Sequence, residues 1–203
     1  KASKDEPFQI WCHDFDNSGS LDIVLGYYDH GACFPVRERT CSSQQMPFIK
    51  EKFPTFNDFA SATIEDIYGS QLSDALNYKA TTFANSYIEN LGNGKFKISK
   101  LPNELQFSCV QSMIIKDFNK DGNLDILGAG NLYTAEVETP RNDASIGFLA
   151  LGNGKGQFSF QPYKKSGVFL KGDVKDMSDV KINDDESFII VGLNDEKNKI
   201  LKY

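Results

Sequence analysis

The chain has 203 residues, with 28 acidic against 22 basic side chains, a formal charge of −6 and a pI near 5.0. This length suffices for one sizeable core or a few repeats of a modular fold. No stripe of Lys and Arg interleaved with aromatic residues occurs, so nucleic acid is not an expected partner. No window approaches about 18 consecutive apolar residues, so no transmembrane segment is predicted.

Residues 8–28 have the pattern of a strand, an acidic loop and a second strand. Apolar residues from Phe8 lead into Asp-Phe-Asp-Asn-Ser-Gly-Ser-Leu-Asp, which begins at Asp14 and ends at Asp22. Oxygen-bearing side chains fall at alternate positions of this loop, and Gly19 stands where a tight loop needs positive φ. An apolar, β-branched run follows directly, which is typical of a buried strand.

The segment from about 31 to 80 departs from this β pattern, and we predict that residues 31–80 are a helical insertion. Thr55 or Asn57 can cap a helix, and apolar positions recur at i, i+3 and i+4 spacing. These positions are Phe56, Phe59, Ala60, Thr63, Ile64 and Ile67. Gly69 is expected to end that single helix, and Leu72 to Leu76 predicts one further short turn.

Strand patterns resume with a predicted strand at 82–90. The pentapeptide Leu-Gly-Asn-Gly-Lys at 91–95 then predicts a hairpin turn of the Asn-Gly kind, with its partner strand at 97–100. The same pentapeptide recurs at 151–155, after a predicted strand that begins at Ile146.

A second acidic loop lies between the two hairpins. Residues 107–116 lead into Asp-Phe-Asn-Lys-Asp-Gly-Asn-Leu-Asp, from Asp117 to Asp125, and an apolar strand follows as it does after the first loop. Gly122 occupies the same position as Gly19. The two loops therefore share one pattern in the same phase.

Both loops have the donor pattern of a site for a hard cation. Ca²⁺ takes six to eight oxygen ligands at about 2.3–2.6 Å, and alternate residues of a curled loop can supply them. Asn123 would offer its backbone carbonyl. The predicted calcium ligands are Asp14, Asp16, Ser18, Ser20 and Asp22 in the first loop, and Asp117, Asn119, Asp121, Asn123 and Asp125 in the second.

Two alternatives share part of this pattern. An EF-hand needs a bidentate Glu at loop position twelve, which here is Leu25 or Gly128, and it needs flanking helices where strands are predicted. A turn rich in Asn, Asp and Gly that holds no ion is the other alternative. Against it, three carboxylates in one short loop would repel one another without a cation.

The spacing of the motifs indicates a repeat. The two Leu-Gly-Asn-Gly-Lys segments start 60 residues apart (151 − 91), and the acidic loops start 103 apart (117 − 14), which is one period plus an insertion. We interpret 172–176 as a third, decayed loop without a metal, followed by a strand at 188–192. Such a period, with several short strands per unit, predicts a mainly β fold of about three propeller blades.

Four cysteines, Cys12, Cys33, Cys41 and Cys109, allow several pairings and require none. Cys33 and Cys41 flank a short loop and are the most plausible disulfide, whereas Cys12 and Cys109 lie in apolar contexts that equally suit reduced core thiols. A zinc site is not expected, because no Cys-x-x-Cys occurs and only two histidines are present.

The two acidic loops, each coupled to a Gly-Asn-Gly-Lys hairpin, resemble FG-GAP/VCBS repeats, the calcium-loop blades also found in integrin α-subunit propellers. The resemblance covers about 8–28 and 82–194. With the segments Arg-Glu-Arg-Thr-Cys-Ser-Ser-Gln-Gln-Met-Pro-Phe and Glu-Val-Glu-Thr-Pro-Arg-Asn-Asp-Ala-Ser, the arrangement is most similar to bacterial VCBS proteins of the ASPIC/UnbV group, although the ASPIC/UnbV domain itself is not recognisable. The resemblance implies a secreted or surface-attached, mostly non-enzymatic β-propeller with calcium in its blade loops.

The chain departs from that family in its blade number. Propellers close with about four to eight blades, whereas this chain supplies roughly three. We therefore expect residues 1–203 to be a propeller segment of a longer parent chain, or its open edges to be covered by another copy. The absence of an initiator Met and the start almost inside a blade favour the first expectation.

Calcium in these loops is expected to be structural, fixing the turn between two strands. At about 1 mM extracellular calcium and a Kd near 0.1 mM, mass action stabilises the fold by roughly 1.5 kcal/mol per site. Cytosolic calcium would leave such sites nearly empty. An extracellular, periplasmic or cell-surface location follows as the expectation.

Two polar segments are candidates for binding a protein or carbohydrate ligand. Arg37 and Arg39 offer guanidinium groups that suit carboxylates or phosphates, and the second segment adds Glu136, Glu138 and Arg141. The structural alternative is that an arginine of the first segment pairs with a glutamate of the second and holds the insertion in place.

An enzyme is the second class of function, in the form of a propeller-based hydrolase or lyase acting on polysaccharide. We predict no enzymatic activity. The two histidines have no evident partners, no Gly-x-Ser-x-Gly motif occurs, and the acidic residues are concentrated in the metal loops. Glu136 and Glu138 alone are weak support for paired-carboxylate chemistry.

Overall fold

The computed structural model describes residues 2–135, 139–183 and 186–203. The chain divides into two units, Lys1–Phe83 and Ala84–Tyr203. The described residues form thirteen β-strands, five short α-helices and two 3₁₀ helices, so the prediction of a mainly β protein is confirmed. None of the helices in these residues has the length and hydropathy of a membrane span.

The first unit is built on one four-stranded antiparallel sheet. Its strands are β1 (Phe8–His13), β2 (Asp22–Asp29), β3 (Ala32–Pro35) and β4 (Leu76–Ala80), in the order β3-β2-β1-β4. The first acidic loop joins β1 to β2, as the sequence predicts. Trp11 and Val24 are paired across these strands and are both buried. Residues paired in this way lie on the same face of the sheet, so that face is the buried one.

Short helices cover this buried face. They are α1 (Arg39–Gln45), α2 (Phe48–Lys52), α3 (Phe56–Ala60) and α4 (Ile64–Tyr68), followed by a 3₁₀ helix (Gly69–Ser73). Apolar residues of the helices pack with those of the sheet into one core, which contains Trp11, Phe15, Val24, Met46, Ile49, Phe59, Ala62, Ile64, Ile67 and Tyr68.

The predicted bounds of the helical insertion need correction. Both ends of 31–80 are strands of the sheet, and the helical segment proper is 39–73. The single helix predicted from Thr55 to Gly69 is two helices, because Thr63 starts a new one. Its side chain accepts from the Asp66 N–H and the Asp66 carboxylate accepts in return, as Thr55 and Asp58 do for α3. Gly69 ends the second helix with φ 55°, as predicted.

The second unit begins with a two-stranded hairpin, β5 (Ser86–Gly92) and β6 (Lys95–Lys100). Asn93 and Gly94 have φ of 52° and 72°, which is the backbone that an Asn-Gly hairpin turn requires. The predicted turn is therefore confirmed, although the strand begins at Ser86 and residues 82–85 lie outside it. A 3₁₀ helix, Asn103–Leu105, follows.

The next sheet is a four-stranded antiparallel meander. It consists of β7 (Ser112–Lys116), β8 (Asp125–Ala129), β9 (Phe148–Gly152) and β10 (Phe158–Gln161), in the order β10-β9-β8-β7. The second acidic loop joins β7 to β8, as predicted. The second Leu-Gly-Asn-Gly-Lys turn joins β9 to β10 at the predicted place, but as a longer loop, 153–157, in which Asn153 lacks the positive φ of an Asn-Gly turn. All residues of β8 are buried. A short helix, α5 (Tyr163–Ser166), follows the meander.

A three-stranded sheet ends the chain, with β11 (Val174–Lys181), β12 (Ser187–Leu193) and β13 (Lys199–Lys202) in sequence order. The interpretation of 172–176 as a decayed loop is wrong. Val174 already begins a strand, so Asp173 precedes β11 instead of joining two strands. The segment that joins β11 to β12 contains residues 184 and 185, which lie outside the described part. Asp173 is fully buried and pairs with Lys175 at 2.9 Å.

One face of the meander packs against the last sheet. Leu127 and Ala129 of β8 share a core with Val174, Ile189 and Val191. At the edge of this contact, Lys116 lies 2.9 Å from the Asp179 carboxylate and contacts the Tyr203 hydroxyl, which donates to Asp179 at 2.6 Å. The hydrogen bond from Tyr203 and the one from Lys116 hold the pKa of Asp179 below its ordinary value.

No disulfide joins Cys12, Cys33, Cys41 and Cys109, all of which lie in the described residues. The pairing of Cys33 with Cys41 expected from their spacing is therefore not formed. Cys33 lies on β3 and packs against the core of the first unit, whereas Cys41 lies on α1. Burial, followed by the nearby charge of Glu65, raises the pKa of the Cys33 thiol to about 11, which keeps it protonated and unreactive at neutral pH.

Gly128 should be intolerant of a side chain. It lies in buried β8 beneath the Phe148 ring, which a methyl group at Gly128 would overlap. We expect Gly128→Ala to lower the free energy of unfolding by about 1–3 kcal/mol through overpacking, measured by urea denaturation. Gly192→Ala is the matched control, because the nearest atom to its added methyl group would lie 3.6 Å away. Equal losses in the two variants would contradict this account of the packing.

The carboxyl group of Asp179 should titrate below its ordinary range. A folded-state pKa below the unfolded value means that the ionised carboxylate stabilises the fold above the unfolded pKa, and that this contribution is lost as pH falls through the folded pKa. Tyr203→Phe removes the largest cause of the shift. We expect the variant to raise the midpoint for Asp179 in an NMR titration of carboxyl carbons. An unchanged midpoint would show that the hydroxyl does not contribute.

Candidate metal centre

The first acidic loop is organised by its own backbone amides. The Asp14 carboxylate accepts hydrogen bonds from the N–H groups of Ser18 and Gly19, both at 2.9 Å. Asp16 accepts from the Ser18 N–H at 3.1 Å. Asn17 and Gly19 have φ of 56° and 86°, and this left-handed backbone turns the chain back on itself. The loop is curled around the first carboxylate.

Asp22 closes the first loop at the first residue of β2. It is buried, and one of its carboxylate oxygens accepts from the Phe15 N–H at 3.0 Å. Carboxylate oxygens of Asp14, Asp16 and Asp22 all lie within 4.8 Å of one another. That spacing lets them share one cation at ordinary Ca²⁺–oxygen distances of about 2.3–2.6 Å.

The second loop repeats this hydrogen-bond network position for position. The Asp117 carboxylate accepts from the N–H groups of Asp121 and Gly122 at 3.1 and 2.8 Å. Asn119 accepts from the Asp121 N–H at 3.0 Å, as Asp16 does in the first loop. Asp125, fully buried at the start of β8, accepts from the Phe118 N–H at 2.9 Å.

The same two positions are left-handed in the second loop. Lys120 and Gly122 have φ of 60° and 88°, and they correspond to Asn17 and Gly19. Two separate stretches of chain therefore adopt one loop conformation, as the shared sequence pattern predicts.

The fifth position distinguishes the two loops. Ser18 of the first loop accepts from the Ser20 N–H at 3.3 Å. Asp121 of the second loop accepts from the Asn119 side chain and from both the backbone and the side chain of Asn123, at 2.8–3.0 Å. These hydrogen bonds, first the one from Asn119, lower the pKa of Asp121. Asp121 is thus held ionised within the second loop.

The buried closing aspartates have a further partner each, and the sequence did not reveal either one. The free oxygen of Asp125 accepts from the Gly152 N–H at 2.9 Å, and that of Asp22 accepts from the Gln45 side-chain amide at 3.1 Å. Gly152 belongs to the second Leu-Gly-Asn-Gly-Lys turn, and Gln45 is the last residue of α1. Both contacts are distant in sequence, so no local pattern could have indicated them.

Two glycines explain why the second hairpin accompanies the second acidic loop. A methyl group at Gly152 would overlap the Leu124 carbonyl, and one at Gly154 would overlap the Asn123 amide oxygen. Only glycine lets the hairpin turn approach the loop closely enough for the Gly152 N–H to reach Asp125. The second copy of the pentapeptide is therefore part of the structure around the second acidic loop, whereas a methyl group at Gly92 or Gly94 of the first copy would meet no atom within 4 Å.

The donor set of both loops consists of oxygen atoms. Carboxylates, side-chain amide oxygens and exposed carbonyls suit hard cations such as Ca²⁺ and Mg²⁺, whereas softer metals prefer imidazole or thiolate. Three carboxylates of the first loop are close enough together to fit a bound hard cation. Among the described residues no such cluster forms in the second loop, because Asp117, Asp121 and Asp125 do not bring their carboxylate oxygens within the same distance of one another. Oxygen donors of this kind suit Ca²⁺ and Mg²⁺ alike.

The second group of predicted site residues does not form one site in the described residues. Arg39 donates to the backbone carbonyls of Phe53 and Pro54 at 2.7 and 3.0 Å, and it lies over the Phe56 ring. Arg141 pairs with Asp143 at 3.2 Å and lies over the Tyr133 ring. Both arginines thus have structural contacts within their own units.

Arg37 and Arg39 also line a cleft of about 390 Å³ in the first unit, together with Tyr27, Phe34 and Phe56. Glu136 and Glu138, the remaining predicted ligand-binding residues, lie outside the described residues. The proposed pairing of these glutamates with the arginines is therefore a prediction that the structure does not address.

Comparisons with known proteins give no further assignment. No protein-family model, no curated protein and no solved structure matches this chain.

The closing aspartates should stabilise the fold even without a metal. In Asp125→Asn, an amide NH₂ would face one of two buried N–H donors, leaving unsatisfied polar groups that cost about 1–3 kcal/mol. We expect this loss of unfolding free energy in urea denaturation with excess EGTA. Asp117→Asn should cost less, since water can reach its partners at the exposed end of the loop. A larger loss for Asp117→Asn would contradict the assigned roles.

Proposed function

We propose that the chain is a calcium-binding β-propeller segment that acts outside the cytosol as a binding or scaffolding module. The observation that carries the proposal is the pair of acidic loops. They are 103 residues apart (117 − 14), yet they share the same hydrogen bonds, the same left-handed positions and the same buried closing aspartate. Because the same arrangement of oxygen donors occurs twice, we propose that both loops bind the same kind of ligand, a cation.

The proposed role of the ion is structural. Asp14, Asp16 and Asp22 would hold it in the first loop, with Asp117, Asn119, Asp121 and Asp125 in the second. A bound cation neutralises carboxylates that otherwise repel one another, and each loop joins two neighbouring antiparallel strands. Binding would therefore fix the turn that sets the register of those strands. The expected stabilisation is roughly 1.5 kcal/mol per site at millimolar calcium.

The propeller assignment rests on the second unit. A four-stranded antiparallel meander that packs face to face on a following sheet is the arrangement of successive propeller blades. The acidic loop joins the first two strands of that meander, and the Leu-Gly-Asn-Gly-Lys turn joins the last two. The number of blades is left as a prediction.

A protein or carbohydrate is the proposed ligand. The cleft lined by Arg37, Arg39 and the aromatic rings of Tyr27, Phe34 and Phe56 supports this choice. Aromatic faces stack on apolar faces of sugars and peptides, and guanidinium groups suit carboxylates. We propose a binding module without catalytic activity.

Calcium dependence of thermal stability tests the proposal. We expect the melting temperature to rise by several degrees between excess EGTA and 2 mM CaCl₂. The rise should be reduced in Asp14→Ala and in Asp117→Ala, since each variant removes one site. An unchanged melting temperature in the wild type, with no metal found by elemental analysis of the purified protein, would refute calcium binding.

A further inference from the structure

The first acidic loop is held by the helical segment 39–73. Gln45, at the end of α1, donates its side-chain amide to the Asp22 carboxylate at 3.1 Å. Gln71, in the 3₁₀ helix, donates to the Phe15 carbonyl at 3.2 Å. Two parts of the segment therefore hydrogen-bond to the loop at different points.

An aromatic contact adds to these hydrogen bonds. Phe15, the second residue of the loop, is buried and its ring centroid lies 4.6 Å from that of Tyr68 in α4. Burial and the nearby charge of Asp22 raise the pKa of the Tyr68 hydroxyl. The loop and the helices consequently share one desolvated environment around Asp22.

In the second loop, a backbone amide makes the contact that the Gln45 side chain makes in the first loop. There the equivalent oxygen of Asp125 accepts from the Gly152 backbone N–H of the hairpin turn. In the first unit, the Gln45 side chain supplies the donor to the closing aspartate, and β3 and β4 flank the two strands that the loop joins. A residue of the helical segment thus occupies a position that a backbone amide holds in the meander.

We infer that Gln45 is a positioning residue for the first cation site, and that cation binding there is coupled to docking of the helical segment. This inference rests on the proposed calcium binding. The Phe15 N–H and the Gln45 amide each fix one oxygen of the Asp22 carboxylate, which faces Asp14 and Asp16. Without the Gln45 donor, a buried oxygen is unsatisfied and the carboxylate can rotate out of the site.

The coupling must act in both directions. Partners that orient a metal ligand typically change metal affinity by about 10–100-fold. If the docked helices strengthen cation binding, then the cation strengthens docking of the helices by the same free energy. The segment would be more firmly held at high calcium than at low calcium, which makes it a calcium-responsive part of the first unit.

Affinity of the first site tests the role of Gln45. Calcium binding would be measured by isothermal titration calorimetry in an Asp117→Ala background, so that the first loop dominates the signal. Gln45→Ala should weaken binding by about 10-fold or more. Gln44→Ala is the matched control, because Gln44 is the preceding residue of the same helix and is exposed. Equal affinities in the two variants would overturn the assignment.

Hydrogen exchange with and without calcium tests the coupling without any change at Gln45. Amides of residues 39–73 should exchange more slowly in 2 mM CaCl₂ than in EGTA, and this protection should disappear in Asp14→Ala. Amides of β5 and β6, which contain neither acidic loop, provide the internal reference. Calcium binding without protection of 39–73 would overturn the coupling and leave the proposed function intact. Failure of the chain to bind calcium would overturn both.

Discussion

A buried aspartate at the first residue of a strand is the interaction on which the architecture around both loops depends. Asp22 and Asp125 each accept the N–H of the aromatic residue seven positions earlier, which joins the two ends of the loop. Each accepts a second hydrogen bond from an element that is distant in sequence. Burying a carboxylate is costly unless its oxygens are paired in this way, so the aspartate fixes the loop, its strands and the packed element together.

The remaining carboxylates of the two loops are less buried than the closing aspartates. Asp14 and Asp117 accept hydrogen bonds from backbone N–H groups, which curls each loop. In the first loop three carboxylates approach one another, and in the second the amides of Asn119 and Asn123 hold Asp121 ionised. Mutual repulsion among these groups opposes the folded loop. A hard cation would remove that repulsion in the first loop, where the three carboxylates lie close together, and this is the reason for proposing one there.

Features with local causes could be predicted from the sequence. The two acidic loops, the first Asn-Gly turn and the helix end at Gly69 each depend on residues within a few positions, and the sequence predicts them correctly. The predicted single helix failed because Thr63 and Asp66 form a capping box inside an otherwise continuous apolar pattern. Strand β4 was missed because its pairing with β1 is distant in sequence. Strand β3 was missed although it follows β2 through a local two-residue turn, in which His30 and Gly31 have φ of 48° and 81°.

The same distinction between local and distant contacts applies to the candidate site. Its carboxylates were all predicted, since their spacing is visible in the sequence, whereas Gln45 and the Gly152 N–H were not. Spacing also misled at 172–176, where the period agreed and the strand boundary did not. A repeat period locates a unit, but only strand pairing shows which residues form its turns.

Counting bound ions tests the central claim most directly. Calcium would be added to the calcium-free wild-type chain, and native mass spectrometry would count the bound ions. We expect two ions per chain. Asp14→Ala and Asp117→Ala should each retain one ion, and the double variant none. A wild-type chain that binds no calcium, or variants that keep both ions, would contradict the assignment of the two loops as cation sites.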